Sequence, residues 1–400
     1  MVALRQILCS VLVSIVAGAA CPEAAPWYTI DLEQAPRDRW RDLAARYRDG
    51  LLTLIAWQRK ALSDFGHEDL VEEYLKVQHV DEEYLEEMRG IVESVGSPDK
   101  LGMRDLLLWN LNYELGTPQA HAVRGAGCTA VLALDSKGHV LHGRNDDLAE
   151  RSILSQITVG VSLRREGKVV LDMAVFLGGV GTDTALLHRS SDAWSVSRNA
   201  RLPRNETLDT EAWLLGSIEA ARHGGAVANF ALRTLMQTSG CGFECAIEKL
   251  RTLPFTVPQY FAIAGARAGV VLSLDRAGQS PADVWRLSPD QGRWYLVQTN
   301  LDHNATDGPS KARRAFANAT MNALGQDSLT PDRLMKVMGT WGVRDNLTTL
   351  TWVSSVSADV LQHPRLQAWP CHDGNASTLA NFSVDSHALK HVLSDGLLQI

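Results

Sequence analysis

Six cysteines in 400 residues are too few for a disulfide-built scaffold. Glycine (31) and proline (14) are too sparse for a collagen-like or low-complexity chain. No run of lysine and arginine occurs and the formal net charge is −7, which argues against nucleic-acid binding. Past the first twenty residues no apolar stretch approaches the roughly 18 residues that cross a membrane. The patterns G-x-S-x-G, H-E-x-x-H and G-x-x-x-x-G-K-[ST] are missing. Nucleophile-elbow hydrolases, zincins and P-loop enzymes therefore drop out. The 12 histidines form no metal-ligand spacing, and Gly178-Gly179-Val180-Gly181 lacks the dinucleotide pattern and reads as a tight turn. No metal and no cofactor is expected. What remains is 45% hydrophobic and 21% charged, an ordinary globular balance long enough for one large or two medium domains.

The first residues set an expected compartment. Arg5, an apolar run over 7–16 and small residues at 17–20 read as a secretory signal peptide over 1–20. The run is short for a membrane anchor. Six N-x-S/T sequons follow, at Asn205, Asn304, Asn318, Asn346, Asn375 and Asn381, and glycosylated sequons belong on the surface of secreted proteins. A lumenal or secreted glycoprotein is expected. Loss of Cys9 with the leader leaves Cys21, Cys128, Cys241, Cys245 and Cys371, an odd number, so one thiol stays free. Cys241 and Cys245 are spaced for a local bridge, with a zinc pair as the weaker alternative. Elimination leaves Cys21 and Cys371 as a second candidate pair.

Residues 21–127 read as helical, with breaks at 63–66 and 97–98. Apolar positions recur at helical spacing over 37–62, interrupted by Gln58, for packing on the rest of the protein or, less simply, for a lipid surface. This segment carries 12 Lys+Arg against 20 Asp+Glu, whereas residues 128–400 carry 26 of each, so the composition shifts at 128. Residues 115–127 are small and polar and read as an exposed linker. Strand-like runs follow at 128–134 and 139–143 around a turn at 135–138, then at 157–163, 169–176 and 194–196. Helical patterns occupy 210–222, 227–236 and 243–250, and further strands 260–264, 269–274, 284–287 and 294–299. Strands, helices, then strands again point to a layered α+β body with antiparallel sheets.

Cys128 opens the first strand directly after the linker. A turn at 135–138 places it across from Asn145 and Thr129 across from Arg144, to within one residue, which gathers residues 144–147 around the thiol. An arginine beside a cysteine favours the reactive thiolate. The residues alone also permit a buried strand cysteine near a surface ion pair.

The run CTAVLALDSKGHVLHGRNDD, from Cys128 through Gly138, His139, His142, Gly143, Arg144 and Asn145 to Asp147, resembles the start of the catalytic chain in the family of acid ceramidases and N-acylethanolamine acid amidases. Residues 283–285, 292–300 and 302–303 are similar to that family's second active-site strand, with weaker likeness at Trp40 and Asn112-Tyr113-Glu114. The resemblance implies an αββα N-terminal-nucleophile hydrolase sandwich and a lysosomal or secreted enzyme. It implies self-cleavage at Gly127–Cys128 into a helical alpha chain (21–127) and a catalytic beta chain (128–400) that stay together as a heterodimer. The freed α-amine of Cys128 would activate its own thiol, which attacks a fatty-acid amide and forms a thioester. By the same resemblance Arg144 would lower the thiol pKa, Asp147 would hold the amine, Asn300 would donate to the oxyanion, and Arg313 would sit behind them or at the substrate mouth. A lipid membrane surface is a further expected partner.

The chain departs from that pattern at several positions. Ala200, in Asn199-Ala200-Arg201, stands where an acidic residue is expected. Asp146 stands in place of an apolar residue, Gly127 in place of a larger one, and Lys311-Ala312 in place of an acidic pair before Arg313. Residues 281–285 and the N-terminal helix favour N-acylethanolamines over ceramide as substrate. A non-catalytic lipid-binding homologue is the rival from another class.

Overall fold

The computed structural model describes residues 22–122, 127–188, 192–201, 209–238, 240–278, 282–306, 308 and 310–370. The leader, Cys21, Cys371, Asn205, Asn375 and Asn381 lie outside the described residues.

The chain before Cys128 forms β1 (Glu23–Ala24), β2 (Trp27–Asp31), α1 (Arg41–Arg46), α2 (Arg48–Phe65), α3 (Glu68–Val77), α4 (Glu82–Val95), α5 (Met103–Asn110) and α6 (Asn112–Ala122). Then come β3 (Gly127–Leu134), β4 (Val140–Asp147), the single turn α7 (Arg151–Leu154), β5 (Thr158–Arg165), β6 (Lys168–Phe176), β7 (Thr184–Leu187) and β8 (Trp194–Ala200). Three helices follow, α8 (Thr210–Arg222), α9 (Ala228–Gln237) and α10 (Phe243–Thr252). The remainder is β9 (Gln259–Ala264), β10 (Gly269–Leu274), β11 (Asp283–Arg286), β12 (Tyr295–Gln298), α11 (Lys311–Leu324), α12 (Pro331–Gly339), β13 (Thr348–Ser355) and β14 (Arg365–Ala368).

Two sheets stack between two helical layers. The six-stranded sheet runs β1-β14-β13-β4-β3-β12 and the eight-stranded sheet β11-β10-β9-β8-β7-β6-β5-β2. Period-2 alternation along β3 shows how they pack. Val131 and Ala133 join Met321, Leu334 and Met338 of α11 and α12 on one face. Ala130, Leu132 and Leu134 meet Tyr260 and Ala262 of β9 on the other. A larger apolar cluster joins the outer face of the eight-stranded sheet to α1–α5 and α8–α10. The layering is αββα, and β3 is buried at every position because both its faces are covered.

Two expectations need correction. The segment before Cys128 is not wholly helical. Trp27-Tyr28-Thr29-Ile30 is aromatic and β-branched, and β2 pairs parallel with β5 at the edge of the eight-stranded sheet. β1 pairs with β14 at the edge of the other sheet. Nor is the 115–127 stretch a linker over 115–122; residues 123–126 lie outside the described residues. Helix α6 continues through 115–122, with Leu115 and Thr117 buried. The Trp213 indole donates to the Glu114 carbonyl at 2.9 Å. A helix already nucleated propagates through poor formers when tertiary packing holds it. The sequence also gave no warning of β13, which lies between β4 and β14 inside the six-stranded sheet.

Candidate active site

Cys128 is the second residue of β3 and is buried. The turn that joins β3 to β4 is one residue longer than 135–138. The Asp135 amide donates to the His139 carbonyl at 2.9 Å, and the Asp135 carboxylate accepts from the Lys137 and His139 amides. Cys128 consequently faces Asp146, Thr129 faces Asn145 and Ala130 faces Arg144.

That one-residue difference decides which side chains share the thiol's face. Arg144 and Asp146 point with Cys128 between the sheets. Asn145 points the other way, where its amide donates to the Met338 carbonyl of α12 at 2.8 Å and its oxygen accepts from Thr351.

Three side chains touch the sulfur. Asp146 Oδ1 lies 3.3 Å from Cys128 Sγ. The Tyr113 hydroxyl, from α6, lies 3.4 Å away. Arg144 Nη2 also lies 3.4 Å away. Arg144 donates as well to the Tyr113 hydroxyl at 2.7 Å, pairs with Asp146 Oδ2 at 3.1 Å and donates to the Arg198 carbonyl. The arginine is thus beside the thiol, yet its influence does not prevail. Burial and the Asp146 charge outweigh Arg144 and push the Cys128 thiol up to about 12, which favours its protonated form.

The Cys128 backbone N–H donates to Asn300 Oδ1 at 2.8 Å. Asn300 Nδ2 donates to the Ala200 carbonyl at 2.9 Å, and the Asn300 amide N–H is tied to Ser310 Oγ at the start of α11. Asp147 does not contact that backbone nitrogen. Its carboxylate is paired by Arg313 and accepts from Thr348 Oγ1 at 2.6 Å. Arg313 reaches Asn300 Oδ1 at 3.4 Å with its other nitrogen. Gly127 has φ +155°, and a Cβ there would lie 2.1 Å from Asn300 Oδ1 and 2.8 Å from Arg313 Nη2. Glycine is the residue that lets both side chains close on this peptide bond.

Sequence reasoning did not assign Tyr113, Glu114 or Arg198 to the site. Arg198, from β8, donates to Glu114 Oε1 at 2.8 Å and to Asp183 Oδ1 at 3.2 Å, and its guanidinium stacks 4.2 Å from the Tyr113 ring centre. This holds the phenol against the thiol. The available signal was the Asn112-Tyr113-Glu114 likeness, whose position in space the sequence does not reveal. Ala200 packs beside Tyr113 and Cys128 and brings a methyl to the cluster.

Above the thiol lies a cavity of about 170 Å³, walled by Trp57 and Leu62 of α2, Leu108, Leu115, Leu148 and Leu154. Cys128, Gly127 and Asp147 lie on its floor side. The apolar stripe of α2 therefore has two uses, since Leu51, Leu54 and Ile55 enter the core while Trp57 and Leu62 line the cavity. Gln58, which breaks the stripe, is buried and donates to the Asp105 carbonyl at 3.0 Å.

The other site candidates are peripheral. Cys241 and Cys245 form a disulfide, and Cys128 is the free cysteine among the described residues. Asn304 and Asn346 are exposed, and Asn318 is partly buried in α11. No described helix is long and apolar enough to cross a membrane.

A family model described as the beta subunit of N-acylethanolamine-hydrolyzing acid amidase matches residues 23–77, the stretch from β1 through α3. The N-acylethanolamine-hydrolyzing acid amidase of Cavia porcellus is 30% identical over 341 residues, covering 84% of this chain and 89% of that protein. The chain belongs to this family of amide hydrolases. The acid ceramidase of Rattus norvegicus is 29% identical over 367 residues, covering 86% of this chain and 88% of that protein. A solved structure of the Caenorhabditis elegans ortholog of N-acylethanolamine-hydrolyzing acid amidase superposes with a TM-score of 0.53 at 28% identity, covering 61% of this chain and all of that one. The fold is thereby shared with the solved relative over the matched 61% of this chain, and sequence similarity extends into the segment ahead of Cys128.

Proposed function

We propose that this protein cleaves itself at Gly127–Cys128 and that the new N-terminal Cys128 hydrolyses N-acylethanolamines to fatty acid and ethanolamine. One observation carries the reading. The free cysteine Cys128 sits at the head of a buried central strand, on the floor of an apolar cavity, with its own backbone nitrogen held by Asn300.

Before the cut, the thiol is buried and protonated, a latent nucleophile. The cut turns the Cys128 amide into an α-amine with an ordinary pKa of about 7.7–8.0, close enough to take the thiol's proton. The acyl chain occupies the apolar cavity, which presents the amide carbonyl to the sulfur. Thiolate attack forms a thioester and releases ethanolamine, and water then releases the fatty acid. Asn300 holds the Cys128 nitrogen through Oδ1, and the Nδ2 hydrogen not given to the Ala200 carbonyl donates to the developing oxyanion, a contact worth roughly 3–4 kcal/mol. Arg144 stabilises charge on the sulfur. Once the bond is cut, the freed amine moves toward Asp147, which Arg313 and Thr348 fix opposite Gly127, and a charge-assisted hydrogen bond keeps it there.

The two chains remain a heterodimer because β1 and β2 lie in the sheets built by the catalytic chain. The leader and the sequons, with Asn304 and Asn346 exposed, support a secretory route and a lysosomal or extracellular destination.

The test is release of fatty acid from a long-chain N-acylethanolamine, and from a ceramide with the same acyl chain, by wild type and by Cys128→Ala. The proposal expects hydrolysis of the first substrate by wild type alone. Preferential ceramide turnover would reassign the head group. Binding of both lipids without turnover would make the protein a lipid-binding homologue.

A further inference from the structure

The chemistry proposed for Cys128 leaves one step without a base. During self-cleavage the Cys128 nitrogen is still an amide, so no α-amine exists to take the thiol proton. The groups around Sγ narrow the choice. Arg144 carries its proton permanently. Tyr113 is a buried phenol, held neutral by its surroundings. Asp147 is occupied by Arg313 and Thr348, and Ala200 brings only a methyl. Of the three side chains touching the sulfur, Asp146 alone can accept a proton, and its Oδ1 lies 3.3 Å away.

A second observation concerns what lies behind this carboxylate. A separate cavity of about 50 Å³ touches Asp146 but not Cys128. It is bounded by Asn110, Thr182, Asp183, Thr184 and Asn229 as well as by apolar side chains. Trp109 and Asn112 wall it from the apolar cavity above the thiol. A polar space of this size holds water, which needs roughly 10–15 Å³ per molecule. Asp146 thus stands between the nucleophile and a polar cavity large enough for water, which an acyl chain in the main cavity would not block.

We propose that Asp146 is the catalytic acid–base group of self-cleavage in this chain, exchanging its proton with water in the polar cavity behind it. Its carboxylate takes the Sγ proton as the sulfur attacks the Gly127 carbonyl carbon. The resulting carboxylic acid returns that proton to the Cys128 nitrogen as the C–N bond breaks. The products are a Gly127–Sγ thioester and a free α-amine. Water hydrolyses the thioester, leaving a Gly127 carboxylate and the restored thiol, and the proton released is taken up by the new α-amine, which becomes an ammonium. No electrons are gained or lost in either step. Arg144, paired to Asp146 Oδ2 at 3.1 Å, holds the carboxylate in place with Oδ1 aimed at the sulfur.

The inference rests on Cys128 being the nucleophile, and the experiment separates the two claims. Full-length wild type, Asp146→Asn, Asp146→Glu, Ala174→Leu and Cys128→Ala are incubated at acidic pH, and the cleaved fraction is followed by intact mass alongside a thermal melt. Asp146→Asn leaves Arg144 without its carboxylate and should lower the melting temperature, and below that melt it should slow cleavage roughly 100-fold, whereas Asp146→Glu should recover most of the rate. Ala174 lines the polar cavity away from the thiol. Ala174→Leu fills that space with the Arg144–Asp146 pair intact, so it decides the matter if Asp146→Asn does not fold, and it should slow cleavage roughly tenfold. Cleavage within about threefold of wild type in Asp146→Asn, or in Ala174→Leu if that variant must decide, overturns the proposal while Cys128→Ala stays whole. Cleavage of Cys128→Ala would instead remove the nucleophile and this proposal together.

Discussion

At the scale of single residues, two positions bear most on the chemistry. Gly127 holds a backbone geometry that disfavours a side chain, and a Cβ would collide with Asn300. Gly127→Ala should cost roughly 1–3 kcal/mol of stability and slow the appearance of two chains, measured by calorimetry and by denaturing gel. Unchanged melting and cleavage would show that Asn300 and Arg313 are not closed on this peptide in solution. Cys128 was legible in the sequence as the cysteine left over, and Arg144 as its neighbour. The balance at the sulfur was not legible. It depends on a register set by side-chain hydrogen bonds in the Asp135 turn, and period 2 makes one residue the difference between Asn145 and Asp146 on the thiol's face. Tyr113 escaped for a related reason, because a residue that approaches from a distant helix leaves no mark of spacing.

At the scale of elements, the structure ties the N-terminal segment to the catalytic body through both sheet edges and through buried ion pairs. Glu87 of α4 accepts from Trp40 at 2.7 Å and pairs with Arg39 and with Arg233 of α9. Glu87→Ala leaves Arg233 buried without its carboxylate, so it should destabilise the fold by about 3–5 kcal/mol in denaturant unfolding. A loss under about 1 kcal/mol would mean that water or another acceptor replaces it. After cleavage at 127–128 the two chains should co-elute under native conditions and part only in denaturant. Early dissociation would contradict the role given to β1 and β2. The helices and most strands were readable from periodicity, since they are long or strictly alternating. β1 and β2 were not, because a two-residue and a five-residue strand beside a helical run carry little pattern, and α6 was missed because packing, not propensity, carries it through residues 115–122.

At the scale of the whole molecule, buried charge couples the fold to pH. Burial raises the pKa of Glu114 and Asp183, with Arg198 opposing it. Each therefore takes up a proton on folding. Its contribution is complete below the ordinary carboxylate range and is lost as pH rises through the folded value. His142, buried between Ser195 and Ser197, is lowered to about 3, so its contribution is complete above about 6.5 and fades as pH falls. Glu114→Gln should thus flatten the decline in melting temperature from acidic to neutral pH. An identical pH dependence in the variant would exclude Glu114 as a contributor. The αββα layering and the family were accessible from one long motif, whereas the coupling of α6 to the nucleophile through Arg198 emerges only when the layers are assembled.

The central claim is that Cys128 is a self-released nucleophile. Intact mass of wild type and Cys128→Ala after incubation at acidic and at neutral pH, with N-terminal sequencing of any new chain, tests it most directly. The account predicts a chain beginning Cys-Thr-Ala-Val from wild type at acidic pH and an intact chain from Cys128→Ala. A wild-type chain that stays whole at both pH values, or the same cut in Cys128→Ala, would contradict it.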